Sequence, residues 1–242
     1  MKKVINICWW IPCLLIAFVS CEIDNYDEPD ASFSGSIKDV ATGELVGTDL
    51  QNGSTIRAYE LGWETPTAQT WLIKQNGEYQ NDMVFAARYD FEFVNGNFYP
   101  FKVENFEIRK GKNIHDFEVT PYIRVKNPDI THDAANNRII ATFSLEGGKP
   151  EVKVSALRLY AFIDMYVGEQ VKFSTSGDNF SRNFSPAQDI DRTIYTLSID
   201  LGANSELFKY SRNYYFRIGA LASVPGVGTI RHNYSPLVVI KL

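Results

Sequence analysis

Apolar residues fall into two regimes along this chain, one unbroken run at the start and then alternation with period two to the end. The run extends from Ile7 to Val19, follows Lys2 and Lys3, and closes at Ser20-Cys21. It is about 13 residues long and interrupted by Pro12, short of the roughly 18 to 20 apolar residues that span a bilayer as a helix. Residues 1–20 therefore read as an export signal that is removed rather than folded. Beyond it, no window keeps its apolar positions at helical spacing. Phe33, Gly35 and Ile37 alternate with Ser34, Ser36 and Lys38 before a turn at Thr42-Gly43. Ser54 to Leu61 and Thr70 to Lys74 read as strands. Asn76-Gly77 reads as a hairpin turn, since both residue types tolerate positive φ. Tyr89 to Val94 alternates cleanly up to Asn95-Gly96, and Lys102 to Ile108 and Ile114 to Val119 follow, with a hairpin turn expected at Arg109-Lys110-Gly111-Lys112. About seven short strands of this kind make a sandwich.

Thr120-Pro121-Tyr122 marks a boundary, because proline ends the last strand and stiffens the connection. Past it, Arg138 to Leu145 forms a strand before Gly147-Gly148. Val152 and Val154 fall out of step with Leu157, Leu159 and Ala161, which predicts a bulge near Ser155-Ala156. Tyr195, Leu197, Ile199 and Leu201 alternate with polar neighbours as a half-buried strand, and Tyr214–Ala220 and Tyr234–Ile240 supply the last ones. The expected fold class is all-β: two consecutive β-sandwich domains, residues 32–120 and 121–242, after the signal and a tether at residues 21–31.

Charge changes the picture of the tether and of the partners. Residues 22–30 carry five carboxylates, no base and one proline, a composition that cannot bury enough apolar surface to fold. Without the signal the chain holds 22 basic against 29 acidic residues, a net of −7, and shows no basic stripe of the kind a polyanion binder needs, so nucleic acid is not an expected partner. Aromatics at 14% are first a packing statement, since they fit pleated sheets. Of the three cysteines, Cys8 and Cys13 leave with the signal, and Cys21 has no partner for a disulfide.

Five resemblances carry these readings further. Phe18-Val19-Ser20-Cys21 resembles the lipobox of bacterial lipoproteins, which implies acylation of Cys21 and a lipid anchor in a membrane. The acidic stretch after it resembles the surface-export signal of Bacteroidetes lipoproteins, implying an outer-membrane protein facing the cell exterior. Gly35-Ser36-Ile37-Lys38-Asp39, Thr42-Gly43-Glu44-Leu45, Asn76-Gly77-Glu78-Tyr79 and Phe85-Ala86-Ala87-Arg88-Tyr89 resemble the carboxypeptidase regulatory-like, transthyretin-type sandwich, with Ala87 where that pattern has glycine. Tyr214–Ala220, Gly226-Val227-Gly228 and Tyr234–Ile240 resemble the last two strands of an Ig-like, fibronectin type III domain, with Phe143 in the place of its usual tryptophan. The whole resembles uncharacterised Bacteroidetes surface lipoproteins that accompany SusC/SusD-type glycan-import systems. Such a resemblance implies a non-catalytic assistant in polysaccharide capture, by association rather than from a site. An adhesin or structural spacer with a protein partner and no small ligand is the alternative.

For chemistry the sequence offers aromatics rather than catalytic constellations. His115, His132 and His232 lack metal-ligand spacing, and no G-x-S-x-G elbow is present. A glycosidase would need two carboxylates beside a cleft, for which two small sandwiches are a poor scaffold. No cofactor motif occurs. Asp178, Asp189 and Asp191 could offer oxygen to Ca2+, at a spacing that matches no calcium loop. Trp63 stands in a turn-rich segment with Glu64 and Gln69 nearby, a flat face and polar partners for a sugar; alternatively it covers an edge of the first core, while Trp71, within a strand, reads as core. Phe180 and Phe184 lie in a polar stretch, Ser176–Ser185, read as a loop that either binds a ligand or is pinned to the core by these rings.

Overall fold

The computed structural model describes residues 27–242, so Cys21, the signal and most of the acidic tether lie outside the described residues. Every regular element within them is a strand. The first sandwich comprises β1 (Ala31–Asp39), β2 (Thr55–Glu60), β3 (Ala68–Leu72), β4 (Glu78–Val84), β5 (Arg88–Phe93), β6 (Phe101–Glu107), β7 (Gly111–Ile114) and β8 (Phe117–Val119). One sheet runs β4-β1-β7 with β8 also on β1, and the other runs β3-β2-β5-β6. Alternation turns Phe33, Ile56, Ala58, Tyr89, Phe91 and Phe93 inward, all essentially without exposure. Phe33 is the hub: it stacks on Phe91 at 5.5 Å and touches the rings of Trp71, Tyr79 and Phe117. Aromatic pairs of this kind add roughly 0.5–1.5 kcal/mol each beyond their area.

The second sandwich comprises β9 (Ile123–Asp133), β10 (Arg138–Gly147), β11 (Lys153–Phe162), β12 (Ser181–Asp189), β13 (Tyr195–Asp200), β14 (Asn213–Ser223), β15 (Asn233–Tyr234) and β16 (Val238–Lys241). Its sheets run β13-β10-β9 and β12-β11-β14-β15, with β16 also on β14. The expected bulge is present, since the register of β11 shifts against both neighbours between Val154 and Ala156. Phe143 is buried and stacks on Tyr195 at 5.7 Å.

Three local expectations change. At Asn76-Gly77 the turn forms, with only Gly77 at positive φ (89°). Its arms pair only at Ile73 and Tyr79, and β3 and β4 then enter opposite sheets; Trp71 and Tyr79 both head for the core, which turns the hairpin into a corner. Residues 109–112 make no hairpin either: the chain crosses from β6 in one sheet to β7, which lies parallel to β1 in the other. Gly35 permits this, because a Cβ there would sit 1.6 Å from the His115 carbonyl oxygen between β7 and β8. Finally, the stretch read as a loop at 176–185 is half strand. β12 is an edge strand, and its exposed face shows no period-two apolar pattern because only one side of it meets the core.

Candidate functional site

The sheet β3-β2-β5-β6 buries one face and shows the other. Outward from β2, β5 and β6 stand Tyr59, Asp90, Glu92, Lys102 and Glu104, which with Leu61 and Pro66 line a shallow depression of about 290 Å³. The Tyr59 hydroxyl donates to Glu92 Oε2 at 3.2 Å, and Lys102 forms an ion pair with the same carboxylate. The Lys102 bond holds the Glu92 carboxyl below its usual range. Asp90 Oδ1 accepts the Asn105 N–H at 2.7 Å. After β2 the chain turns at Gly62, whose φ of 108° is open to glycine, and Leu61 bridges to Trp63. Trp63 thus lies in the short segment between Leu61 and Pro66, both of which line the depression, and it is 67% exposed.

Its exposure sets Trp63 apart from the core edge, whereas Trp71 packs in the core at 7% exposure among Phe33, Tyr89 and Phe91. Glu64 is exposed beside Trp63. Gln69 is also exposed, but its Oε1 accepts the Trp71 indole N–H at 3.3 Å, so it braces the core tryptophan. Phe180 and Phe184 are elsewhere, on the second sandwich. Both are half-buried against its core: Phe180 lies under the Arg158 guanidinium at 4.9 Å, and Phe184 meets Tyr195 edge-on at 6.4 Å. Their geometry is that of pins. Asp189 pairs with Lys153 at 2.9 Å and Asp191 caps the Thr193 N–H at 2.8 Å. Among the described residues, no three His, Cys, Asp or Glu side chains gather as a metal site.

The second feature was not nominated from sequence. The long β1–β2 connection, the Asn76-Gly77 corner and residues 95–98 of the first sandwich dock on the outer face of β11, β14 and β15 and on residues 167–172. Arg217, projecting outward from β14, is 5% exposed. Its Nε donates to Ser235 O at 3.2 Å, Nη1 to Thr48 O at 3.2 Å and Nη2 to Gln75 O at 3.4 Å, while its plane lies 4.0 Å over the Tyr234 ring. Tyr234 donates to Asp49 Oδ2 at 2.5 Å, and Asp49 Oδ1 accepts the Glu169 N–H at 3.0 Å. Burial pushes the Asp49 carboxyl up, against the pull of Tyr234 and Arg217, and burial brings the Arg217 guanidinium down to about 10. Glu169 is the reverse case: burial would raise it, but bonds from Lys172 and from the Tyr160 hydroxyl (2.6 Å) leave it lowered.

Around this centre the joint is closed by amides and one ion pair. Asn97 bonds Ser54, the Gly47 carbonyl and the His232 carbonyl, and Asn233 answers from the other domain to Asn97 O (2.7 Å) and the Ile123 N–H (3.1 Å). Asp39 at the end of β1 receives Arg124 of β9 through two nitrogens at 2.5 and 2.8 Å, both side chains at most 10% exposed. Two glycines allow the approach. A Cβ on Gly47 would lie 2.6 Å from the Arg217 Nη2, and one on Gly168 would lie 2.1 Å from Asp49. Beside the joint a groove of about 700 Å³ stays open, lined from both domains by residues that include Leu45, Val46, Gln75, Met165, Arg217 and Leu237. The sequence carried only a faint sign of this: an arginine on the polar phase of an apolar strand reads as solvated until something covers it.

No curated protein is similar to the chain. A solved structure of a proposed carbohydrate-binding protein from Bacteroides uniformis ATCC 8492 is 57% identical, the match covering 88% of this chain and 100% of that one with a TM-score of 0.85. Two further solved structures, DUF3823 family proteins of Parabacteroides merdae ATCC 43184 and Bacteroides uniformis ATCC 8492, are each 21% identical. They share the fold at a TM-score of 0.69, covering 89% and 88% of this chain and 100% of theirs. Residues 31–120 match the model of the N-terminal domain of the DUF3823 proteins of unknown function, and residues 123–239 match DUF3823_C, likewise a domain of unknown function. The chain thus carries both halves of that architecture and belongs to the DUF3823 family.

Proposed function

We propose that this protein is a non-catalytic lipoprotein, anchored through Cys21 in the outer membrane and facing the exterior, that assists polysaccharide capture at a SusC/SusD-type glycan-uptake system. The observation that carries the binding role is Trp63. A large flat ring at 67% exposure beside a depression furnished with a tyrosine, three carboxylates and a lysine offers what a sugar needs: a face for its C–H groups and charged hydrogen-bonding partners for its hydroxyls. The rigid sheet beneath keeps those groups in place without a ligand, which lowers the ordering cost of binding. The carbohydrate-binding description of the relative at 57% identity supports the same class of ligand. The second sandwich sets a sheet of three strands against one of five, in which β15 and β16 both pair with β14, and this two-sheet antiparallel order supports the fibronectin-like reading of that domain as an accessory module. A catalytic reading finds little support, because a glycosidase acid needs a raised carboxyl and Lys102 holds Glu92 low.

The test is affinity electrophoresis of the chain from Glu22 to Leu242 through gels containing plant and host polysaccharides, alongside Trp63→Ala. Retardation by at least one polysaccharide, weakened about tenfold in Kd (about 1.4 kcal/mol) by the substitution in a folded protein, is the expected result. No retardation across the panel would sink the binding role and leave the spacer or adhesin reading, which the tightly joined domains favour. Anchoring is tested separately, by radiolabelled palmitate that marks the full-length chain and fails to mark Cys21→Ala.

A further inference from the structure

The groove between the sandwiches has the size of a small-molecule site, at about 700 Å³ against roughly 300–1,000 Å³ for such sites, and it lies where they commonly occur, between domains. Its most unusual lining group is Arg217. A guanidinium has five N–H donors. Three are spent on main-chain carbonyls, one from each nitrogen, which leaves one N–H on each terminal nitrogen without an acceptor among the described residues. No carboxylate pairs with Arg217 there either: Asp49 is committed to Tyr234 and to the Glu169 N–H. A guanidinium with one unspent donor on each terminal nitrogen and no carboxylate bonded to it, Asp49 acting on it only through space, matches a further carboxylate.

The surroundings agree. Arg124, Lys126 and Arg217 line the groove against Asp39 and Glu44, a positive balance in a chain of 29 acidic and 24 basic residues, and Asp39 is already held by Arg124. Leu45, Met165 and Leu237 give apolar walls, and Gln75 and Asn76 give amides. Resting on the glycan-binding reading above, we infer that this groove is a second saccharide site, one that takes a uronate-bearing oligosaccharide with its carboxylate on Arg217. The site exists only in the joined molecule, since both domains supply its wall.

Isothermal titration of the Glu22–Leu242 chain with trigalacturonate and with neutral galactotriose tests this. Trigalacturonate should bind, the neutral trisaccharide at least tenfold more weakly, and the difference should shrink in high salt. Leu237→Trp, which narrows the groove without touching an Arg217 bond, should abolish the heat. Arg217→Lys, which keeps the charge and loses the fork, should weaken binding at least tenfold; should that variant not fold, Leu237→Trp alone decides. Trp63→Ala should keep trigalacturonate binding. Equal binding of the acidic and neutral sugars, or indifference to Leu237→Trp, overturns the inference. Loss of trigalacturonate binding in Trp63→Ala overturns it too and moves the acidic sugar to the outer face. Failure of trigalacturonate with retention of polysaccharide binding at Trp63 removes the groove site and leaves the proposed function standing, while failure of both removes both. A tripeptide that binds in the groove where trigalacturonate does not overturns the saccharide assignment.

Discussion

On the outer face of the first sandwich, Tyr59 donates to Glu92 and Lys102 pairs with the same carboxylate; at the joint, Tyr234 donates to Asp49 and Arg217 lies over its ring. The chemistry is nearly the same and the surroundings are opposite. Lys102 is 60% exposed at its side chain, so water screens its pair, which adds little to stability. That weakness leaves the groups free to trade partners with a ligand. Arg217 and Asp49 are 5% and 7% exposed, and each has lost its water and depends on fixed protein groups. The same trio is therefore an adaptable surface in one place and a weld in the other, and burial alone separates the two.

Breaking the weld should have the largest effect. Arg217→Ala strands the Thr48, Gln75 and Ser235 carbonyls and leaves Asp49 without a nearby cation. It should cost about 3–5 kcal/mol, a fall in Tm of roughly 10 °C at about 2–4 °C per kcal/mol for a chain of this size, read by calorimetry. A loss below about 1 kcal/mol would mean the joint is not held through Arg217. Next comes Asp39→Ala, which leaves the largely covered Arg124 side chain, at the start of β9, with only the half-exposed Glu146 as a carboxylate partner. A cost of about 3 kcal/mol is expected, with early protease cleavage near Thr120-Pro121 if the domains separate, and an unchanged Tm would remove this ion pair from the joint.

The pH dependence sharpens the contrast. Burial raises the folded Asp49 carboxyl above its ordinary value, so folding favours its protonated form. Its contribution is complete below about pH 4, the unfolded value, and is lost as pH rises through the higher folded one. Tyr234 and Arg217 face this carboxyl and keep their protons over that window; burial lowers the facing His232 imidazole, which adds stability as pH rises and is shared by the two proteins compared next. Urea unfolding should therefore show wild type losing stability relative to Asp49→Asn between about pH 4 and 7; a difference that does not change with pH would contradict it. Glu92 on the outer face should act with the opposite sign, since its lowered carboxyl favours the folded state above its ordinary range. The smallest stability effect belongs to Trp63→Ala: within about 0.5 kcal/mol of wild type, although glycan binding weakens about tenfold. A large loss of stability there would make Trp63 a packing residue and end its comparison with a free surface.

Legibility followed which faces the core touches. The strands β2, β5, β10, β13 and β14 were readable because one of their faces is always inside, and the bulge at Val154–Ala156 because it throws that face out of phase. β12 was not readable: as an edge strand it anchors itself through Phe180, just before its start, and Phe184, and shows solvent almost everything else. The crossover at 109–112 was missed since Lys110 and Gly111 look the same at a hairpin tip and at the start of a parallel edge strand. In the site, Trp63 and Glu64 were legible as an aromatic and an acid in a turn-rich segment. Tyr59, Asp90, Glu92 and Lys102 were not, because each is an ordinary polar residue of its own strand and they become one depression only when β2, β5 and β6 align.

By itself, then, the sequence determined the all-β class, two sandwiches in succession and most of what lies in each core. Those follow from period-two burial, which is local and written in consecutive residues. Only the tertiary structure decided that Arg217, Asp49, Tyr234 and Glu169 meet and that a groove remains beside them. Asp49 lies 120 and 185 positions from its partners Glu169 and Tyr234, and Glu169 lies 65 from Tyr234; the burial that shifts their charges comes from a neighbouring domain that no local pattern records.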